Sequence, residues 1–450
     1  MSECKQQKNE LDMLNGSIWK NVMIFALPLA LSSILQQLFN SADVAVVGRF
    51  SGSAALAAVG SNGSVIALFV NIFVGLSVGP NVIIANYIGQ GKNNRVSKVV
   101  HTVISFGIFS GIFLLLIGQV IAKPVLILIG TPENVLNLAV LYLRIYFLGM
   151  PFIILYNFSS AILRSIGDTK RPMFCLIFSG VLNVLLNVLL VVGFHLGVAG
   201  VAIATVLSNV ASCFILLYLL VKENSIIHLE PRRLKIEYPY LMRVIKVGAP
   251  ASVQTAVFSL SNVIIQSGIN SFGADAIAGS ATGLNFEYFT YYVISAFAQA
   301  CVTFTSQNFG AGKMQRCRKS YLACMVEGMV ITAILSAIFI IWGYPFCRLY
   351  THDESVIRFA LNRMNHVVLL EAMTGIYEIT GGSLRGSGYS ALPAVLTVLG
   401  SVCFRILWMF TVFNRWHDFG MLMTVYPVSW LVTGALVVTA YIIVNKRRGL

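Results

Sequence analysis

NVMIFALPLALSSILQQLFNSADVAVV, residues 21–47, is a long apolar run interrupted by one proline, Pro28, and carrying one carboxylate, Asp43, near its end. As an α-helix it rises ~1.5 Å per residue to roughly 40 Å, more than the ~30 Å hydrocarbon core of a bilayer. The stretch therefore reads as a transmembrane span. Pro28 lacks an amide donor and its ring clashes with the preceding turn, so the span is expected to bend there. Lipid-embedded helices tolerate this where neighbours satisfy the freed carbonyl. Gln36 and Asp43 lie seven residues, two turns, apart and share one face of the distal half.

The rest of the chain agrees with a membrane reading. Of its 450 residues 57% are hydrophobic and 11% charged, with a mean hydropathy of +0.81, whereas soluble domains carry about 25% charge. Twelve apolar segments can be placed, at 21–47, 54–87, 96–122, 135–161, 172–193, 197–221, 244–271, 276–307, 321–343, 356–383, 391–413 and 420–444. The expected fold is an all-α polytopic membrane protein with twelve transmembrane helices.

The net charge of +14 does not mark a nucleic-acid surface, because the basic residues sit in short loops between apolar runs. With the amino terminus inside, 23 of the 31 lysines and arginines fall on inner segments, from Lys5, Lys8 and Lys20 to Lys446, Arg447 and Arg448. That bias predicts cytoplasmic termini, residues 1–20 as the amino-terminal segment and 445–450 as the tail. The run after Lys20 is too long for a signal-peptide core, so no cleaved leader is expected. Eight cysteines, Cys4 among them, include no C-x-x-C pair, which argues against a zinc site or a disulfide framework.

The chain also repeats itself. A shift of 222 takes Pro28 to Pro250, Asn40 to Asn262 and Phe50 to Phe272. A shift of 221 takes Gly89, Gly91, Lys92 and Arg95 to Gly310, Gly312, Lys313 and Arg316, and Arg164, Gly167 and Pro172 to Arg385, Gly388 and Pro393. Six spans are an even number, so the second copy enters the membrane from the same side, giving two pseudo-symmetric six-helix lobes in parallel. Their expected limits are 21–221 and 244–444, with 222–243 as a cytoplasmic linker. Two such lobes rocking about a central cavity form a transporter; no channel filter signature is visible.

GQGK at 89–92 and GAGK at 310–313 resemble phosphate loops only superficially. The G-x-x-x-x-G-K-[ST] spacing is absent and neither string follows a strand. They read as glycine-terminated helices, which leaves an ion gradient as the energy source. Intramembrane carboxylates cost ~2.5–3.5 kcal/mol on insertion scales, so each asks for a role. Glu287, flanked by Asn285, Tyr288, Tyr291 and Tyr292, falls near mid-depth of the eighth span. Glu371 and Glu378 share a face of the tenth, where Glu378, seven residues before Arg385, could equally form an ion pair. Glu327, closely following Lys319, reads as interfacial. Asn183 and Asn187 at i, i+4, with Gln36, Asp43, Asn157 and Thr205 on other helices of the lobe, suggest a small hydrated cation site. Six histidines show no metal-ligand spacing and no nucleophile–base pair stands out, so no enzyme activity is indicated.

These residues resemble the multidrug and toxic compound extrusion (MATE) family over nearly the whole chain. The carrying stretches are the proline-to-aspartate first span with VAVVGRFSGSAALAAVG, LRSIGDTKRPM at 163–173, GVAGVAIAT at 197–205, and NFE followed by SQNFGAGK within 285–313. The resemblance implies export of amphipathic, often cationic compounds in exchange for protons or sodium ions, with no cofactor. Pro28 matches the family's bending proline and Asp43 its first-helix carboxylate, where a proton or Na+ would bind. Gln36, Asn157, Asn183 and Thr205 match the polar residues grouped around that acid, and Tyr142 a nearby tyrosine. Glu287 matches an eighth-helix glutamate of one bacterial branch, with Asn285 in place of the usual arginine. Asn187 stands where some relatives have a second aspartate, which removes a charge from the site.

The reading is thus a multidrug or cation antiporter of the plasma membrane, functional as a monomer because one chain holds both lobes. Glu287, with Tyr288, Tyr291 and Glu378, would serve cationic substrates or a second proton in the carboxy-terminal lobe. The alternative, a flippase for lipid-linked sugar precursors, needs a basic cavity for pyrophosphate. Only Arg144, Arg363 and Arg405 are placed to build one.

Overall fold

The computed structural model describes residues 11–447. Lys5, Lys8, Cys4 and the first half of the expected 1–20 segment lie outside the described residues, as do Arg448 and the end of the 445–450 tail. Among the described residues the structure is helical, with no strand, in twelve successive rods. They are α1 (Ile18–Phe50), α2 (Ala55–Gly89), α3 (Asn93–Leu128), α4 (Glu133–Leu148 and Met150–Ser165, bent by 45°), α5 (Lys170–Gly193) and α6 (Gly197–Lys222). The second six are α7 (Tyr238–Asn270), α8 (Ala274–Gly310), α9 (Met314–Ile341), α10 (Glu354–His366 and Thr374–Gly386 around the 3-10 turn Val368–Met373), α11 (Ala391–Phe413) and α12 (Phe419–Arg447).

Each rod coincides with one of the twelve apolar segments. Eight are long and apolar enough to cross a membrane unaided, and the bent α4 makes nine. α7, α8 and α10 fall short of that measure. These rods carry Gln254 and Asn262, Glu287 and Gln299, and Arg363, Glu371, Glu378 and Arg385, side chains that lower mean hydropathy without shortening the helix.

Two boundaries differ from expectation. The linker ends sooner than 243, because α7 already begins at Tyr238 with Pro239 in its first turn, where a missing amide costs nothing. The tail begins later than 445, because α12 runs on to Arg447.

The repeat extends to backbone detail. Gly91 (φ 68°) and Gly312 (φ 72°) each follow a helix in the left-handed conformation. Lys92 N donates to Tyr87 O, and Lys313 N to Asn308 O. These bonds, with Gly91 N to Ile88 O and Gly312 N to Phe309 O, are the paired closures of a glycine C-cap. GQGK and GAGK are therefore helix stops.

By packing, the chain divides into two compact units. Unit 1 is Leu31–Gly248; unit 2 joins Leu11–Ala30 to the chain from Ala249 onward. This departs from the expected lobe limits at the first helix of each repeat. The start of α1 belongs to unit 2, where Met13, Val22, Ala26 and Leu29 join the cluster of Phe297 and Cys301, and Phe25 meets Phe304 edge-on at 5.7 Å. The start of α7 belongs to unit 1, where Gly79 and Gly248 bring it against α2 so closely that added Cβ atoms would stand 2.3 Å from Val244 O and 2.5 Å from Leu76 O. Pro28 and Pro250 each lie within two residues of the point where their helix changes unit.

Candidate functional site

α1 carries Asp43 into unit 1 as a buried carboxylate, 9% exposed. Asn187 Nδ2 donates to its Oδ1 at 2.5 Å, and Thr205 Oγ1 lies 3.4 Å from its Oδ2. Asn187 Nδ2 also reaches Asn183 Oδ1 at 3.2 Å, and Asn183 Nδ2 reaches Thr205 Oγ1 at 3.4 Å, which closes the ring. The two asparagines share a face of α5 because four residues separate them. Directly after Asn187 the helix widens into a π-helical stretch, Val188–Gly193, a feature common at functional sites. Asn187 Oδ1 is buried without a hydrogen-bond partner.

Tyr142 and its neighbour one turn on, Tyr146, stack with rings 6.3 Å apart and lie within electrostatic range of Asp43. No lysine or arginine forms an ion pair with Asp43 among the described residues. The donor set of carboxylate, amide and hydroxyl oxygens suits a hard cation, and the lone carboxylate suits a proton.

Not every expected residue joins this ring. Gln36 remains exposed two turns earlier on α1. Asn157 Nδ2 donates to Ile153 O of its own helix at 2.8 Å. Tyr146 was missed, although its i+4 spacing from Tyr142 was the available signal.

In unit 2 the expected site is built differently. Glu287 is not a lone acid: its Oε2 receives Arg363 Nε at 3.1 Å and Nη2 at 2.7 Å, while Arg363 Nη1 donates to Ser280 Oγ at 2.7 Å. Tyr426 lies beneath both Arg363 and Arg405, 5.3 and 4.6 Å from its ring centroid. Arg405 donates to Ser429 Oγ and Asn262 Oδ1 at 3.2 and 3.3 Å. Tyr288 stacks on Tyr292 with centroids 5.9 Å apart, and Tyr291 lies 6.3 Å from the same ring. The Glu378–Arg385 ion pair does not form, because Arg385 Nη2 turns to Gln254 Oε1 at 2.7 Å. Two of the three arginines a flippase would need, Arg363 and Arg405, are engaged within unit 2 and are 3% and 1% exposed, whereas Arg144 is exposed on α4.

The MatE family model matches residues 28–189 and again 250–411. The chain belongs to the MatE family. Both limits of the second match lie 222 residues after the first, the register of the internal repeat, and the matches begin at Pro28 and Pro250. The chain is similar to the "Probable multidrug resistance protein YoeA" of Bacillus subtilis (strain 168), 27% identical over 443 residues, 96% of this chain and 95% of that protein. It is 25% identical over 399 residues to the "Multidrug export protein MepA" of Staphylococcus aureus (strain NCTC 8325 / PS 47), 87% of each chain. Among solved structures, an outward-facing multidrug resistance MATE family transporter of the MOP superfamily matches 98% of both chains with a TM-score of 0.90 at 20% identity. The MatE fold of twelve membrane helices in two six-helix lobes is the fold of this chain, and MatE proteins are transporters, not enzymes.

Proposed function

We propose that this MatE transporter is a secondary active exporter of amphipathic, often cationic compounds, driven by protons or sodium ions that enter in exchange. One observation carries the reading: Asp43 is a buried carboxylate whose bonded partners are all neutral. A buried charge without a counter-ion is costly, so the site gains stability when a cation from solution occupies it. A ligand shifts a conformational equilibrium only through its different affinities for the two states. Occupancy of Asp43 supplies that difference, and α1, which crosses between units beside Pro28, is the element it biases.

The names of YoeA and MepA, multidrug resistance and multidrug export, support the substrate class. The two six-helix lobes then alternate access about the substrate. The protein works as a monomer in the plasma membrane with both termini cytoplasmic and without a cofactor. The test is efflux of a fluorescent cationic dye in everted vesicles under imposed proton or sodium gradients. Asp43→Asn is expected to reduce gradient-driven transport to the level of vesicles lacking the protein; full transport by that variant would sink the assignment.

A further inference from the structure

Four histidines make side-chain hydrogen bonds among the described residues, and three of them can take up a proton without losing a partner. His228 and His366 each turn Nδ1 to a main-chain carbonyl, Glu223 O and Asn362 O, both at 2.8 Å. His417 Nε2 meets Ser271 Oγ at 2.9 Å, a hydroxyl that turns to accept or donate. His101 of α3 is different. Its Nδ1 lies 2.7 Å from Ser97 O, an acceptor, and its Nε2 lies 3.1 Å from Glu230 N, a donor. These two partners admit only the neutral ring with its hydrogen on Nδ1.

Glu230 belongs to the linker, residues 223–237, between α6 and α7. Ile227 and Leu229 bury the linker's first half in the core of unit 1, and the chain then turns at Pro231. A residue before proline is confined to extended conformations, and Glu230 has φ −99° and ψ 109°. Its N–H is thereby held toward the imidazole. The next residue of α3 takes up the rest of the segment, since Thr102 Oγ1 accepts from Glu237 N at 3.2 Å and donates to Lys235 O at 3.4 Å. Two adjacent side chains of α3 thus hold residues 230–237 where the chain passes into α7.

His101 is 5% exposed, and a cavity of about 270 Å³ lined by His228, Leu229, Glu230, Pro231 and Arg232 opens on the same corner. The acids there are taken: Glu237 by Lys98 at 3.3 Å, Glu230 by Arg233 at 2.7 Å, and Glu223 by Arg171. Arg243 of α7 donates to the Tyr87 hydroxyl of α2. Arg164 of α4 and Lys235 form no ion pair among the described residues. An imidazolium at His101 finds no unpaired carboxylate among these groups to replace the bond it loses.

We propose that His101 is a proton-released latch for the linker. When Nε2 takes a proton from water it becomes a donor facing the Glu230 N–H, a second donor. That hydrogen bond breaks, no covalent bond changes, and residues 230–237 loosen from α3; loss of the proton restores the hold. The latch is closed at neutral and alkaline pH and open in acid, across the range in which histidines exchange their proton. It is separate from the ring around Asp43, and neither the latch nor its test depends on the exporter reading. What it controls is the start of α7, the segment of the second repeat that packs in unit 1.

The experiment is hydrogen–deuterium exchange on the full-length protein in lipid between pH ~8 and ~5, with rates corrected for the intrinsic effect of pH. In the native protein the protection of residues 230–237 is expected to fall about tenfold on acidification. Unchanged protection overturns the latch. His101→Gln offers Glu230 N a carbonyl acceptor that cannot be protonated, so the step with pH is expected to vanish; a step retained in that variant overturns the assignment to His101. Thr102→Val removes the neighbouring tie and is expected to lower protection at both ends of the range while keeping the step. A step abolished by Thr102→Val would put the switch outside His101 and overturn the proposal as well.

Discussion

Asp43 and Glu287 are both membrane carboxylates that sequence marks as functional, and the helices surround them with opposite company. Asp43 is bonded only by amide and hydroxyl groups, whereas Glu287 Oε2 takes two guanidinium nitrogens of Arg363. A satisfied ion pair is a structural element as much as a site, because removing one partner strands the other. Arg363→Ala is therefore expected to lower stability by about 3–5 kcal/mol. Replacing both residues, Glu287→Met with Arg363→Leu, should recover most of it. Thermal unfolding midpoints in detergent check both, and equal losses in the single and double variants would contradict the argument. At this scale the residues that the structure brings together around Asp43, namely Asn183, Asn187 and Thr205, were legible as polar residues standing alone in apolar helices. Sequence does not carry side-chain direction, which leaves Gln36 exposed and turns the Asn157 amide to its own helix, or a partner on a distant helix, since nothing in the order of residues pairs Glu287 with Arg363.

Helix by helix, the twelve rods were legible because long apolar runs between basic loops leave lipid few alternatives. Helix ends were legible as well, through glycines that recur at the same register and stop their helices in the same left-handed conformation. Less legible was the interior of α7, α8 and α10, whose polar side chains are inward-facing chemistry that depresses the hydropathy signal used to find spans. Also hidden was the close crossing of α2 and α7, which depends on two glycines meeting carbonyl groups across a helix pair. Gly248→Ala would place a Cβ 2.5 Å from Leu76 O, against backbone rather than a movable side-chain tip. The expected cost is about 1–3 kcal/mol, visible as a lower unfolding midpoint. Gly60→Ala, where a Cβ meets nothing within 4 Å, should leave the midpoint unchanged.

For the whole molecule, the repeat and the compact units do not share a boundary. Leu11–Ala30 precedes the first repeat's crossing point yet belongs to unit 2, where Arg316 holds the carbonyls of Met13, Asn15 and Gly16, and Lys313 holds that of Leu14. The corresponding stretch before the second repeat is tied into unit 1. There Glu230 N donates to His101 Nε2, Glu237 pairs with Lys98, and Arg243 donates to the Tyr87 hydroxyl. Each half thus lends its leading segment to the other unit's interior. In lipid the loss of such a segment is a loss of packing and hydrogen bonds rather than of hydrophobic burial, because the bilayer is itself apolar. Fragments 1–222 and 223–450 are therefore expected to be aggregated or polydisperse when expressed separately and to form one monodisperse complex when expressed together. Size-exclusion chromatography in detergent distinguishes the cases: two fragments each monodisperse alone would mean that the lent segments are dispensable. A carboxy-terminal fragment that becomes monodisperse when residues 11–30 are restored to it in trans would locate the dependence in the Phe25–Phe304 contact and the carbonyl clamp of Arg316.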